Sequence, residues 1–356
     1  MNEIAAKKDF SLNAYFNYCI FFFVSECKIY STNKVKVKLK ANEPNDFYTN
    51  IAPIRFLHLK NLGESTEDQT VPLLELPDHA EERSQFAKSE WNMIELEVVE
   101  FLRARCFLKN ELSAEELHKL SGIFMVNSIN VSKGKGLYPI FSTVNHDCLS
   151  NAKFKVDPDS WILQLKAQSA IKKGQEITVQ YLSTILGTHK RRKKIKSEWY
   201  FECECQRCSD PTENDTFVSA LICEACEEDY LLPTEPLDVF SSWTCGSCDF
   251  FLSCTDVEAK IDVIEDELSI ATNKRDLKLL EDFVRHYSGQ ILHPNHYLLL
   301  LAKRNYIFIS RKNLIELMTQ CTLEEQQELK SAFKTKHELY REFSWIPEKL
   351  FCSDTF

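Results

Sequence analysis

The chain has 356 residues, 44% of them hydrophobic, and a formal net charge of −10. A chain of this length and composition buries a large core and divides into about two or three domains. The acidic charge disfavours a general binder of nucleic acids or of anionic membranes. Fourteen cysteines, many in closely spaced groups, are typical of an intracellular zinc protein rather than a secreted disulfide framework. We therefore expect the protein in the cytoplasm, the nucleus or both.

The N-terminal segment contains an apolar run, Tyr15–Val24, preceded by two lysines. This run could be the hydrophobic part of a secretion signal, but no small-residue cleavage site follows it. It is also shorter than the ~20 residues of a membrane-spanning helix. We therefore expect a buried strand or helix and no membrane segment. The alternation of lysine with other residues over Lys34–Lys40 predicts a half-exposed strand.

Helical patterns follow. A short helix near Ile51–Lys60 is predicted among proline-containing loops, and apolar residues at helical spacing predict a longer amphipathic helix over Arg83–Leu108. Ser113 and Glu116 have the capping-box spacing that starts another helix.

From Val131 onwards the apolar period becomes that of strands. A small antiparallel sheet is predicted from three short runs separated by turn sequences: Ala152–Val156, Trp161–Ala167 and Gln175–Leu182.

The next helical pattern, Thr184–Tyr200, contains the basic run His189–Lys194. The run has three interpretations: a nuclear-import signal, a phosphate-binding patch, or the solvated face of a helix. We favour the solvated face, because short basic runs often match such signals by chance.

Three cysteines follow within six residues and cannot all bridge one another, so we interpret them as thiolates around zinc. Zinc takes four ligands, and the nearest earlier cysteine completes the set. The sequence therefore predicts a tetrahedral structural zinc site on Cys148, Cys203, Cys205 and Cys208.

A second group has the spacing of a two-knuckle zinc ribbon, in which two Cys-x-x-Cys pairs are separated by eighteen residues. Four unrelated free thiols are the weaker alternative. The predicted ligands are Cys223, Cys226, Cys245 and Cys248. A ribbon of this kind either binds a partner or fastens a small lobe, and the spacing does not separate these roles.

Beyond Thr255 the pattern is helical to the end of the chain. Capping boxes are predicted at Thr255 with Glu258 and at Thr322 with Glu325, and Pro294 precedes a helix over Tyr297–Ile309.

Three motifs occur in order: Asn145-His146-x-Cys148-x-x-Asn151, Gly174-Gln-Glu176-Ile-Thr-Val-Gln-Tyr181 and Cys-x-Cys-x-x-Cys. Together they resemble the core and post-SET zinc knuckle of SET-domain protein methyltransferases, and most closely the SET-and-MYND (SMYD) family in its arthropod SmydA or msta-like branch. Ordered motifs are far more specific than single ones, and the resemblance covers roughly residues 50–310.

The resemblance implies an α+β fold with a SET β-core, a helical insert, zinc-bound regions and an all-helical C-terminal lobe. The expected division is 1–50 atypical N-terminal segment, 51–130 helical insert, 131–182 SET core, 183–212 basic helix and post-SET knuckle, 213–256 second zinc ribbon, and 257–356 helical lobe.

The resemblance also implies an S-adenosylmethionine-dependent protein-lysine N-methyltransferase acting on a histone or non-histone lysine. Tyr181 then takes the catalytic position, while Asn145 and His146 hold the cofactor and Phe201 lines the cofactor site or the lysine channel. The implied cofactors are two zinc ions and S-adenosylmethionine.

The sequence departs from the family in several places. Asp147 and Ser150 replace the usual Ser and Pro, no MYND finger precedes the core, and residues 1–130 contain no Gly-x-Gly, the family's backbone cradle for the cofactor. We therefore expect weak cofactor binding and little or no methyltransferase activity. The alternative function is an inert SET-fold and zinc module that binds protein partners in transcriptional control. Direct nucleic-acid binding rests on the basic run alone and is disfavoured by the total charge.

Overall fold

The computed structural model describes residues 11–12, 75–86, 114–131 and 134–319. The predictions for Tyr15–Val24, Lys34–Lys40, Ile51–Lys60 and the capping box at Thr322 fall outside these residues. In the described part, helices and strands are mixed as predicted, and the α+β class is confirmed. None of the helices described there is long and apolar enough to cross a membrane.

The seven α-helices of the described residues are α1 Ala80–Phe86, α2 Ala114–Asn127, α3 Thr188–Trp199, α4 Gln206–Ser209, α5 Cys254–Lys274, α6 Leu277–Tyr287 and α7 Tyr297–Met318. The strands are β1 Ser11–Leu12, β2 Ser128–Val131, β3 Gly134–Leu137, β4 Asn145–His146, β5 Ala152–Val156, β6 Leu163–Ala167, β7 Thr178–Val179, β8 Leu221–Ile222, β9 Tyr230–Pro233, β10 Trp243–Cys245 and β11 Phe251–Leu252.

The chain divides into two compact units. The first comprises Met1–Val179 and Ile195–Phe201, and the second comprises Gln180–Lys194 and Glu202–Phe356.

The sheet of the first unit has the strand order β1-β6-β5, with antiparallel pairing throughout. Strand β5 has its predicted bounds, whereas β6 begins at Leu163, two residues later than predicted. The turn between them is stabilised by Asp157, whose Oδ1 accepts hydrogen bonds from the backbone N–H of Asp159 (3.1 Å) and Ser160 (2.7 Å).

The third predicted strand does not join this sheet. Strand β7 pairs in parallel with β4, so its assignment to the antiparallel sheet is wrong. The side chain of Asn151 gives a physical reason. Its Nδ2 donates to the carbonyl of Glu176 (2.7 Å) and its Oδ1 accepts from the N–H of Thr178 (2.9 Å). These backbone groups are therefore already satisfied and do not extend the β5 ladder.

The helices of the first unit start near their predicted positions. Helix α2 begins at Ala114, directly after the predicted cap Ser113, which lies outside the described residues. Helix α1 begins at Ala80, three residues before the predicted start, and residues 87–108 of that prediction are not described.

In the second unit, four short strands form an antiparallel meander in the order β11-β10-β9-β8. We call residues 221–252, which contain this sheet, the second ribbon. Helices α5, α6 and α7 share one hydrophobic core with it, in which Leu221, Leu231 and Trp243 lie with apolar side chains of the helices. Burial of this common surface stabilises ribbon and helices together.

The starts of helices α5 and α7 can be compared with the starts predicted from the sequence. Helix α5 is capped by Ser253, which forms a capping box with Asp256, so the predicted box at Thr255 and Glu258 is wrong. The two possible capping boxes overlap in sequence. The helix starts at the earlier one because β11 ends directly before Ser253. Helix α7 starts at Tyr297, and the Nδ1 of its N-cap His296 accepts the N–H of Leu298 at 3.2 Å.

Candidate active site and metal centres

The residues expected to hold a cofactor lie around the parallel pair β4 and β7. This pairing places Asn145 opposite Thr178 and His146 opposite Val179. Asn145 is exposed, and its Nδ2 donates to the Oε1 of Glu176 at 2.6 Å. The pairing and this hydrogen bond hold the Asn145 amide at the edge of the core.

His146 and Phe201 are half-buried, and their ring centroids lie 6.3 Å apart with the planes inclined at 53°. The Nε2 of His146 is 3.3 Å from the Sγ of Cys148. An N–H on Nε2 would donate to a Cys148 thiolate, which leaves Nδ1 as the acceptor nitrogen of the ring. Asn145, His146 and Phe201 are thus brought together. Tyr181 follows β7 by two residues and is half-buried.

The first cysteine group has the predicted composition. All four sulfur atoms lie within 4.8 Å of one another, and three of the four residues are buried. The group consists of Cys148, Cys203, Cys205 and Cys208. Cys205 caps the short helix α4, and Cys208 lies within it, which turns both sulfur atoms to one side.

The second cysteine group also has its predicted members, Cys223, Cys226, Cys245 and Cys248, with all sulfur atoms within 4.8 Å of one another. The Sγ atoms of Cys223 and Cys248 are 3.6 Å apart, and those of Cys226 and Cys245 are 3.7 Å apart. Four sulfur atoms at Zn–S distances of about 2.3 Å in a tetrahedron are separated by about 3.8 Å. The geometry therefore suits a single zinc ion.

Two tight turns form this second group. In the first turn the N–H of Glu227 donates to the carbonyl of Cys223 (2.9 Å), and Glu227 adopts a φ of 58°. In the second, the N–H of Ser247 donates to the Sγ of Cys245 at 3.4 Å. A hydrogen bond to sulfur stabilises the thiolate form that a metal requires.

The basic run of helix α3 is only partly a solvated face. Lys193 and Lys194 are exposed, and Lys190 pairs with Glu265 at 2.7 Å. Arg191 and Arg192 are buried, with 0% and 5% of their surface exposed. Two of the cations that a nuclear-import signal or phosphate patch would present are therefore internal.

Sequence reasoning missed the buried charge network that Arg191 forms with Glu213 and Arg207. The Oε2 of Glu213 accepts from Arg191 (2.7 Å) and lies 3.1 Å from the Nη2 of Arg207. Its Oε1 accepts from the N–H of Thr188 (3.0 Å) and from the hydroxyl of Ser219. A signal was present in the sequence, since Arg207 lies inside the knuckle and Glu213 follows its last cysteine by five residues.

The electrostatics of Glu213 follow from these contacts. Burial alone raises the pKa of this carboxyl, but the charges of Arg191 and Arg207 outweigh it and hold the pKa below its ordinary value. The network also reaches the first cysteine group, since the Nη2 of Arg191 lies 3.5 Å from the Sγ of Cys208. Arg192 adds a hydrogen bond from its Nε to the carbonyl of Cys203 at 3.1 Å. Buried guanidinium groups thus hold the knuckle in place.

Comparison with known proteins identifies the core. Residues 12–182 match the family described as SET domain, a span that contains β4, β7 and Tyr181. The chain is similar to the SET domain-containing protein SmydA-8, isoform A, of Drosophila melanogaster, at 25% identity over 58% of this chain and 47% of the relative. The chain contains a SET domain and is similar to SMYD-family proteins. This bears out the resemblance predicted from the three motifs.

Other relatives carry an activity in their names. The chain is similar to the histone-lysine N-methyltransferase Smyd1 of Mus musculus, at 25% identity over 44% of this chain and 35% of the relative. It is also similar to the histone-lysine N-methyltransferase SMYD3 of Homo sapiens, at 37% identity over 21% of this chain and 17% of the relative. The alignments cover less than half the length of these relatives.

Proposed function

We propose that this chain transfers a methyl group from S-adenosylmethionine to the ε-amine of a lysine in a protein substrate. The low activity expected from the missing Gly-x-Gly is the competing outcome, and it belongs to the second candidate function below. The observation that carries the proposal is the parallel pairing of β4 with β7 inside the segment that matches the SET domain. It sets Asn145 and His146 beside the strand that leads directly to Tyr181. The relatives named as histone-lysine methyltransferases support a histone or another protein as the substrate.

The residues around β4 suit S-adenosylmethionine. Asn145 offers an exposed amide for the methionine part, and the half-buried rings of His146 and Phe201 form an aromatic wall for the adenine. When bound, the cofactor supplies a methyl group on a positively charged sulfur. These three residues would fix its position, because hydrogen bonds orient the polar part and ring contacts exclude water from the base.

We assign to Tyr181 the orientation of the substrate lysine amine. Only a neutral amine has a lone pair to offer, and the ordinary pKa of lysine is about 10.4, so the site must favour loss of a proton. A channel that excludes water lowers the lysine pKa. The Tyr181 hydroxyl accepts or donates a hydrogen bond without carrying charge, so it orients the neutral amine without restoring its proton.

We propose that each of the two cysteine groups holds one structural zinc ion. All four ligands of each group come from the protein, which leaves no open position for substrate. Zinc thiolates require reduced cysteines, so we propose an intracellular location, in the nucleus or the cytoplasm.

A second candidate function is that of a non-catalytic scaffold for protein partners. The observation that favours it is the distribution of glycine, since Gly63 and Gly122 are the only glycines in residues 1–130. A Gly-x-Gly loop lets backbone N–H groups approach a ligand that any Cβ would hold away. Calorimetric titration with S-adenosylmethionine separates the two candidates. Saturable binding followed by methylation of histone or cell-extract proteins supports the enzyme, whereas no binding supports the scaffold.

If the chain methylates, Tyr181→Phe is expected to lower turnover by ~10² to 10³ while leaving cofactor affinity unchanged, because one orienting hydroxyl is removed. Tyr230→Phe is the matched control, since it removes a hydroxyl from another half-buried tyrosine, in the second ribbon. Methyl transfer is measured with radiolabelled cofactor. Undiminished turnover in the Tyr181 variant would move the catalytic role to another residue.

Loss of one cysteine from each group is expected to have different consequences. Cys148→Ser should weaken binding of S-adenosylmethionine more than Cys245→Ser, because Cys148 contacts His146 and follows Asn145 by three residues. Thermal unfolding and calorimetry on both variants measure the two effects separately. Equal losses of cofactor affinity would show that the first cysteine group does not support the cofactor residues.

A further inference from the structure

The charge of this chain is unevenly distributed. Residues 208–259 contain twelve aspartates and glutamates and no lysine, arginine or histidine. The whole chain has 43 basic and 53 acidic residues, so the rest of the chain has 43 basic and 41 acidic residues. The net charge of −10 therefore originates entirely in this one stretch.

Most of this charge lies on the surface of the second ribbon. Six of its seven carboxylate residues are exposed, and the seventh is half-buried. The seven are Glu224, Glu227, Glu228, Asp229, Glu235, Asp238 and Asp249. Among the described residues, a single ion pair neutralises one of them, between Glu224 and Lys260 at 2.7 Å. The ribbon thus presents a strong negative potential to solvent.

The same ribbon exposes large apolar side chains. Phe240 is 80% exposed, the highest value for a large apolar residue in the described part of the chain, and it follows Val239, which is 46% exposed. Phe251, on the edge strand β11, is 64% exposed and pairs with Thr244 of β10. Aromatic side chains are more frequent at protein–protein interfaces than on the rest of the protein surface.

The turn that carries Phe240 is fixed by hydrogen bonds. The Oδ1 of Asp238 accepts the N–H of Phe240 (2.9 Å), and the hydroxyl of Ser241 accepts the N–H of Glu235 (2.7 Å). The N–H of Thr234 donates to the carbonyl of Ser242 at 2.9 Å and closes the base of the turn. Phe240 is therefore held in solvent by an ordered backbone, which reduces the entropy lost when a partner binds.

We propose that the exposed apolar surface of the second ribbon, which includes Val239, Phe240 and Phe251, docks a lysine- and arginine-rich segment of a partner protein. Charge complementarity selects this partner, because a ribbon without cations attracts a basic segment and repels nucleic acids and anionic membranes. The rings add a second attraction, since cations bind the faces of aromatic side chains. This docking role is independent of methyl transfer and holds for an active enzyme and for a scaffold.

The test uses the full, zinc-loaded chain and a fluorescent peptide of alternating lysine and glycine. We expect saturable binding by fluorescence anisotropy that weakens as salt is raised, and no binding of a peptide in which glutamate replaces lysine. Binding of both peptides alike, or of neither, would overturn the proposal.

Variants locate the contact. Phe240→Ala is expected to weaken binding about threefold or more, whereas Phe308→Ala, at a residue 69% exposed on α7, should leave it unchanged. The double variant Glu227→Gln and Glu228→Gln should weaken peptide binding and lower its salt dependence. The control is the double variant Asp266→Asn and Glu316→Gln, which removes two carboxylates from the helices and should change binding less. Equal effects of the ribbon and helix variants would contradict docking at the ribbon.

Self-association is the competing use of this surface. Analytical ultracentrifugation of the unmodified chain and of Phe240→Ala distinguishes the two. A dimer that the substitution dissociates would assign the surface to a second copy of the chain and overturn the proposal, while a monomer in both cases supports a separate basic partner.

Discussion

Chelation of zinc is expected to unfold the second ribbon and to release two metal ions per chain. The strands of the ribbon are two to four residues long, so their backbone hydrogen bonds alone give little stability. The sulfur atoms of its cysteine group already lie at separations of 3.6 and 3.7 Å, close to those of a zinc tetrahedron. By comparison with zinc-finger peptides, each ion contributes on the order of 10 kcal/mol to the fold around it.

The experiment combines elemental analysis with circular dichroism during titration with a chelator. Cys248→Ser should release one zinc ion and destabilise the ribbon. Cys254→Ser is the matched control, because this cysteine lies six positions later, at the first residue of α5, and belongs to neither cysteine group. Elemental analysis that finds one zinc or none in the unmodified chain would contradict the assignment, as would equal effects of the two substitutions.

The cysteine groups could be predicted from the sequence because metal ligation requires a fixed set of residue types at short spacing. Three of the four ligands around Cys203 lie within six residues, and the choice of Cys148 as the fourth needed only that it be the nearest earlier cysteine. The strand Ala152–Val156 was predicted for a similar reason, since its alternation and the turn at Asp157 are both local.

The predictions that failed depended on competition between groups distant in sequence. The pairing of β7 is decided by the side chain of Asn151, which occupies backbone groups that the strand pattern treats as available. The start of α5 was ambiguous because capping patterns occur at both Ser253 and Thr255, and only the end of β11 selects between them. Neither effect is visible in periodicity.

The charge pattern of the sequence led to two incorrect interpretations, one of burial and one of where the negative charge lies. Arg191 and Arg192 were interpreted with their neighbours as a solvated face, although their helix presents them to the interior of the second unit. The total charge of −10 was interpreted as a property of the whole molecule, although it comes from residues 208–259. The net charge of the whole chain does not show where the charged residues lie, although their positions decide which are buried and which partner is attracted.

Glu213→Gln is expected to lower the free energy of unfolding by about 3 to 5 kcal/mol, because it leaves buried guanidinium charges without a counter-charge. Arg191 and Arg207 are both 0% exposed, and both contact the Glu213 carboxylate. Urea unfolding of the zinc-loaded chain measures the loss. The matched control is Glu202→Gln, which breaks the pair with Arg192 at a carboxylate that is 44% exposed. A pair exposed in this way contributes at most about 1 kcal/mol.

The pH dependence of stability gives a second measurement of the same network. The folded-state pKa of Glu213 lies below its ordinary value, so the unfolded chain takes up a proton at a higher pH than the folded chain does. The stability that Glu213 contributes is therefore present at neutral pH, declines once the pH falls below about 4.3, the ordinary glutamate value, and is lost as the pH passes through the lowered folded-state pKa. Glu213→Gln has no carboxyl to titrate, so its stability should fall less steeply with acid than that of the unmodified chain and of Glu202→Gln. Parallel acid profiles for all three proteins, or equal losses in the two variants at neutral pH, would show that the Glu213 carboxylate is not the charge that stabilises the buried arginines.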